Sequence, residues 1–332
     1  MAIIVRGTIE YLEKKHNILK YNQNFAHKEK FRNKIFVTGG LCIIITFISL
    51  NFLYNFESNY LIFIYLILIF ILGLMSDLNF RISAAIRFLI IFILSIFIIY
   101  INKLNLLDLK FKYLNHILNT YPLISILFSA LCLSVIINGS NLIDGTHGLV
   151  TLFYFITTIN LLIYNNFFMF YSELNNKLLI ALIPILTLTT LLNFKEKIFL
   201  GDSGSYFLGA LIGIFIITSY EQLKNSNPYY YANLLFYPSL EVLFSIIRKF
   251  IIYKNPFKPD KKHLHHLILN KYKKRNNLQS SKIKTTLTII SFVIIFQFLA
   301  LFLINSSMLL IFNIFIFTSI YTVGYIYLIK TK

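Results

Sequence analysis

The chain has 332 residues, of which 57% are hydrophobic and 13% charged, and it carries a formal net charge of +18. A soluble domain of this length cannot hide so much apolar surface, because burial rises slowly with chain length. A disordered chain, a coiled coil and a soluble nucleic-acid binder are thereby excluded, and two cysteines are too few for a disulfide scaffold.

What remains is an all-α polytopic membrane protein. Cys42 and Cys132 both lie in apolar runs, where a thiol packs as a small hydrophobe. A basic segment, residues 1–34, comes first and shows no secretory signal, only the short apolar start Ala2–Val5. Apolar stretches then fall at 35–53, 60–75, 86–101, 121–137, 149–164, 178–192, 206–218, 230–247, 285–304 and 309–329. They predict about ten transmembrane helices within one domain, residues 35–332. Several are shorter than the ~20 residues a crossing needs, so flanking polar residues complete them. The stretch 206–218 is the shortest and the weakest candidate.

Ten crossings put both termini on one side. Of the 31 Lys and Arg residues, only Lys103, Lys110, Lys112, Lys177 and Lys224 fall on the other side, leaving 26 with the termini. The positive-inside rule makes the basic side cytoplasmic. Topogenesis and contact with anionic lipid account for most of that charge.

A transporter carries polar or ionisable groups near the bilayer midplane, and these stretches nearly lack them. Glu241 is the only acid well inside one, seven residues before Arg248 and so about 10 Å along a helix from it. Unusual polar sequence collects instead in four segments, near 76–87, 138–148, 193–205 and 248–284, all on the predicted cytoplasmic side.

The first segment carries Asp77, with Arg87 at the mouth of the next stretch. An acid there is either simply solvated or a ligand for a hard cation. The second runs from Asn138 through Asn141 and Asp144 to His147 and Gly148. On a helix, positions 138, 141 and 144 share one face, which suits a base, ribose or sugar; its glycines are equally helix punctuation. The third, Phe199 to Ser205, sets small residues and Asp202 before a helix start. That pattern is either an N-cap or a phosphate cradle beside a metal ligand. The fourth holds Pro259, Asp260, Lys261 and the cluster His263, His265 and His266. No cysteine stands at zinc-ligand spacing, and cationic groups beside an acid suit a pyrophosphate better.

In combination these segments resemble the polyprenyl-phosphate N-acetylhexosamine-1-phosphate transferases, glycosyltransferase family 4. Asn138–Leu149 matches the form NxxNxxDGxxGL, Phe199–Gly209 the form FxGDxGSxxLG and Pro259–His266 the form PDxxHxHH. The last is closer to the enzymes that initiate O-antigen than to phospho-MurNAc-pentapeptide translocase. The resemblance covers about residues 25–330. It implies that a polyprenyl (undecaprenyl) phosphate attacks the β-phosphorus of a UDP-N-acetylhexosamine and releases UMP. It implies Mg²⁺ as cofactor, with Mn²⁺ as the alternative, and Asp202 and Asp77 as its ligands. It implies a catalytic set of Asp77, Asp144, Asp202, His263, His265 and His266. Around the donor it implies Asn138, Asn141, Asn193, Gly201 and Lys261, with Phe199 stacked on uracil. Thr38-Gly39-Gly40, with a base such as Arg32 before it, resembles the family's entry to a membrane helix.

The implied partners are the UDP-sugar, the lipid phosphate and membrane lipid, without nucleic acid, and a homodimer is compatible with them. The implied place is the bacterial inner membrane, and the implied product starts a cell-envelope glycan such as O-antigen. There are departures. Ser76 stands where the family has the first acid of a pair, Phe36 stands where a proline precedes the two glycines, and the chain starts near the end of the family's first helix. Two rival readings stay open, a flippase for lipid-linked sugar and an inactive scaffold.

Overall fold

The computed structural model describes residues 38–54, 60–80, 82–168, 173–222, 226–252, 262–274 and 276–331, and among them the chain is all-helical. Its helices are α1 (Gly39–Tyr54), α2 (Tyr60–Asp77), α3 (Ala84–Asn102), α4 (Lys112–Thr120), α5 (Pro122–Ile143), α6 (Leu149–Phe168) and α7 (Glu173–Phe194), followed by α8 (Gly201–Gln222), α9 (Pro228–Leu234), α10 (Phe236–Ile251), α11 (Leu264–Lys273), α12 (Leu278–Phe302) and α13 (Ser307–Lys330). Eight of them, α2, α3, α5, α6, α7, α8, α12 and α13, are long and apolar enough to cross a membrane. The chain is therefore a multi-pass membrane protein. The other two expected crossings are shorter pieces: α1 and α10 have 16 residues each.

The weakest candidate in the sequence proves to be the central helix. α8 runs 22 residues, because Gly201, Asp202 and Ser203 belong to its first turn. It is buried along most of its length, packed against α1, α2 and α5. Small residues permit that closeness, since helices in lipid associate by packing rather than by hydrophobicity. A Cβ on Gly73 of α2 would stand 2.6 Å from the Asp202 carbonyl oxygen. Only glycine lets α2 lie against the start of α8.

The apolar stretch 230–247 is two helices, broken at Leu235. The cause is Pro238, which lacks the N–H that would bond the carbonyl four residues earlier. That carbonyl belongs to Leu234, and the Gln297 amide of α12 donates to it instead, at 2.6 Å. Gln297 also donates to Thr157 of α6, at 3.0 Å. Nearby, Asn313 of α13 donates to Asn233 at 2.8 Å, and the Tyr230 hydroxyl to Asn160 at 2.8 Å. The helices are thus less purely apolar than their sequence suggests. Their buried amides are uncharged and serve as staples around the break, where unpaired backbone groups would be costly.

Candidate active site

All four polar segments meet at one end of the bundle. One junction is the first turn of α8, whose leading N–H groups have no intrahelical partner. Asp77, at the end of α2, supplies one: its Oδ1 accepts from the Asp202 N–H at 2.9 Å and its Oδ2 from the Ser203 N–H at 3.0 Å. Asp77 is therefore a cap donated by a neighbouring helix, with charge of the sign a helix N-terminus favours. Gly201 begins this turn at φ +77°, a left-handed conformation that glycine alone adopts without strain.

Asp202 projects from the turn into a polar cluster. Its Oδ2 accepts from the Ser76 hydroxyl at 2.6 Å and from the Arg87 guanidinium at 2.7 Å. Arg87 Nη1 also donates to Ser76 Oγ at 2.6 Å. Ser76, at the position of the family's first acid, thus bridges an acid and a base. Tyr206 is buried one turn further along α8, in the field of Arg87, Asp202 and Asp77, and pairs with Asn141. The Asn141 segment is joined to Asp202 in this way.

Asn138 and Asn141 lie on α5 as the spacing predicted, and Asp144 caps its end. All three are half-buried, whereas Gly139, Ser140 and Ile143 between them are buried. Asn138 is occupied locally, donating to the Ser134 carbonyl at 2.8 Å. Gly145 follows the cap and lies against His265; a Cβ there would fall inside the imidazole.

His147, named in the second segment but given no role there, joins that segment to the third. Its ring stacks on Phe199 with centroids 5.6 Å apart and planes 23° from parallel. Its Nε2 bonds Glu196 Oε1 at 2.9 Å, and its carbonyl accepts from Thr286 at 2.8 Å. Glu196 takes φ +52°, uncommon for a non-glycine, to make that contact. Burial, then the nearby Lys282 ammonium, pushes the His147 pKa down to about 4 despite the Glu196 carboxylate. The ring is a neutral stacking platform at pH 7. Phe199 is fixed from its backbone too: Gly39 N–H donates to its carbonyl at 2.8 Å, and Gly40 N–H to that of Leu200 at 3.0 Å. Asn193, near the end of α7, is buried with its Oδ1 lacking a partner among the described residues.

The histidines pack together. His265 is buried between His263, 5.8 Å away at 6°, and His266, 4.2 Å away at 50°. Neither His265 nitrogen has a hydrogen-bond partner among the described residues. Burial, then the neighbouring His266 and His263, holds its pKa well below the usual histidine range. It is a neutral group able to donate to a ligand. Lys261 and Arg32, expected beside these groups, lie outside the described residues, as does Phe36.

Among the described residues, no three His, Cys, Asp or Glu side chains form a ready cation cage. Mg²⁺ rarely needs one, since it keeps waters and takes one or two carboxylates plus substrate phosphate. Asp202 fits that pattern: the contacts of its carboxylate all fall on Oδ2, and the side chain is 25% exposed.

Residues 59–220 match the profile of glycosyl transferase family 4. Over 106 residues, 32% of each chain, the protein is 38% identical to an undecaprenyl-phosphate alpha-N-acetylglucosaminyl 1-phosphate transferase of Thermotoga maritima. Over 215 residues it is 29% identical to a probable undecaprenyl-phosphate N-acetylglucosaminyl 1-phosphate transferase of Bacillus subtilis, covering 61% of this chain and 56% of that one. Over 173 residues it is 27% identical to a decaprenyl-phosphate N-acetylglucosaminephosphotransferase of Mycolicibacterium smegmatis, covering 44% and 41%. The aligned regions thus span between a third and somewhat over half the length of these relatives.

Proposed function

We propose, from a chain whose residues 59–220 belong to glycosyl transferase family 4, that this protein moves an N-acetylhexosamine-1-phosphate from a UDP-sugar to a polyprenyl phosphate. An oxygen of the lipid phosphate bonds to the β-phosphorus of the donor. The bond from that phosphorus to the bridging oxygen breaks, and UMP leaves with the bridging oxygen. The lipid carries away the sugar as a diphosphate. N-acetylglucosamine is the first sugar to test, because the relatives are named for it. Undecaprenyl phosphate is the first acceptor, and the start of a cell-envelope glycan is the corresponding role.

The observation that carries this reading is the cluster at the head of α8. Asp202, Arg87, Ser76 and Asp77 converge there, at one end of an apolar bundle. A water-soluble donor and a lipid acceptor have to meet at such a membrane surface. Transfer between two phosphates develops negative charge, and preorganised cations and donors stabilise it. Arg87 supplies a guanidinium beside Asp202, and the buried His265 supplies an N–H group. Phe199, held by His147 on one side, offers a flat surface for the uracil. Asn138, Asn141, Asp144 and Asn193 line the way to the sugar. Mg²⁺ held by Asp202, with Asp77 behind it, would supply neutralisation of the diphosphate. We place the site on the cytoplasmic face of the bacterial inner membrane, on the strength of the basic asymmetry.

The test is UMP release and product mass, with membranes carrying the protein, UDP-GlcNAc and undecaprenyl phosphate. A polyprenyl-diphospho-sugar formed with stoichiometric UMP supports the reading. Lipid-linked sugar crossing vesicles without UMP release would mean a flippase instead, and no turnover with any UDP-N-acetylhexosamine would mean a scaffold.

A further inference from the structure

Glu241 is the one acid well inside an apolar stretch, and it is 1% exposed. A buried carboxylate in a membrane helix needs a partner. Its Oε2 lies 3.1 Å from Nδ1 of His263. The hydroxyls of Tyr237 and Tyr321 lie close to the same carboxylate and interact with it. Two turns further along α10, Arg248 continues the same support. Its Nη1 donates to the Lys262 carbonyl at 3.0 Å and to the Tyr325 hydroxyl at 3.0 Å. Tyr325 in turn donates to the Lys262 carbonyl at 3.0 Å. One face of α10, with one residue of α13, therefore holds residues 262 and 263 in place.

We infer that Glu241 is a positioning residue for His263, accepting its Nδ1–H and so fixing the tautomer of the ring. A carboxylate offers only acceptors, so the proton it holds in place sits on Nδ1. Nε2 is then the acceptor nitrogen of the ring. The effect reaches further than one ring. His265 lies parallel to His263, and its own nitrogens have no partner among the described residues to orient it. Stacking on a ring that Glu241 sets is one of the contacts that orient it, beside His266 and Gly145. The inference rests on the reading above, that the histidines contact the transferred diphosphate. It adds a lever that sits within the bundle and touches no substrate.

The test uses the full chain in nanodiscs, labelled with ¹⁵N-histidine, the His263 signal being assigned by its loss in His263→Gln. At alkaline pH, wild type should show a protonated Nδ1 and an unprotonated Nε2. Glu241→Gln should move the proton to Nε2, because an amide can donate to Nδ1, and Glu241→Leu should give a tautomer mixture. In both, kcat should fall by about 10- to 100-fold, the usual effect of losing a partner that orients an active-site histidine. KM for UDP-GlcNAc should stay within about 3-fold, since binding by the nucleotide is untouched. Glu241→Asp should recover part of kcat. Tyr325→Phe loosens the same segment without touching the pair, and it should leave the tautomer unchanged. An unprotonated Nδ1 in wild type, or an unaltered His263 signal in both Glu241→Gln and Glu241→Leu, overturns the inference. Wild type that releases no UMP overturns the phosphotransfer reading alone, because the tautomer comparison needs no turnover.

Discussion

Asp77 and Asp202 stand side by side, yet their geometry divides their work. Both oxygens of Asp77 accept backbone N–H groups, whereas the Asp202 contacts leave its Oδ1 uncommitted. Asp202→Asn removes the charge at the reacting phosphates, and kcat should fall by roughly 10²- to 10³-fold, the scale of losing one transition-state contact. Its thermal midpoint should change less than its rate, since the Asn amide oxygen still accepts from Ser76 and Arg87. Asp77→Asn should do the reverse in part: it replaces one of two accepting oxygens with an NH2 that faces a helix N–H, at a cost of about 1 kcal/mol or more, and lowers the midpoint as well as the rate. Thermal unfolding beside UMP release separates the two. His147 gives a pH dependence. Its pKa is about 4 in the fold against ~6.5 unfolded, so the unfolded chain binds the extra proton. Stability is full above ~6.5 and is lost as pH falls through that window. The midpoint should drop between pH 6.5 and 4.5, and His147→Gln should flatten the drop. At this scale the site was largely legible, because Asp77, Asn141, Asp202 and His263 interrupt apolar sequence. Their partners were not. Arg87 lies 115 positions from Asp202 and His147 lies 49 from Glu196, and no local pattern encodes such pairs.

At the scale of elements, the most informative piece is the break between α9 and α10. Pro238 was visible in the sequence, but the compensating amide lies in another helix, at Gln297. An apolar stretch with one proline reads as a single crossing until the partner is placed. Gln297→Leu strands the Leu234 carbonyl and removes the tie to Thr157. Interhelical bonds of this kind contribute about 0.6 kcal/mol on average and at most about 1.7. The variant should therefore lower the thermal midpoint by a few degrees while leaving KM for the donor unchanged. A large change in KM with an unchanged midpoint would mean that the break itself shapes the donor site. The apolar runs located the long helices, missed the short α4 and α11, and cut helix ends short where Gly, Ser and Asp continue them.

For the whole molecule, the sidedness of charge and the convergence of polar segments point the same way. Lys112 precedes the body of α4, and Lys271 lies in α11 beyond the histidines. In intact cells, a membrane-impermeant thiol reagent should label Lys112→Cys and spare Lys271→Cys. Equal labelling of both would overturn the cytoplasmic placement of the site. The burial of α8 has a consequence for how the chain is made. This helix carries Asp202, three glycines after it and several hydroxyls, and it faces protein almost everywhere. It is the second least apolar of the eight candidate crossings, so it offers the translocon little of what admits a segment to lipid. α8 should then depend on α2 and α5, synthesised earlier, to be retained in the bilayer. Fused alone into a glycosylation-mapping reporter, α8 should insert poorly and α3 efficiently, and the Gly73→Leu change in the full chain should leave α8 exposed to quality-control proteolysis. The same small, polar residues that bring the acid to the membrane surface thus make its helix the last to settle during biogenesis.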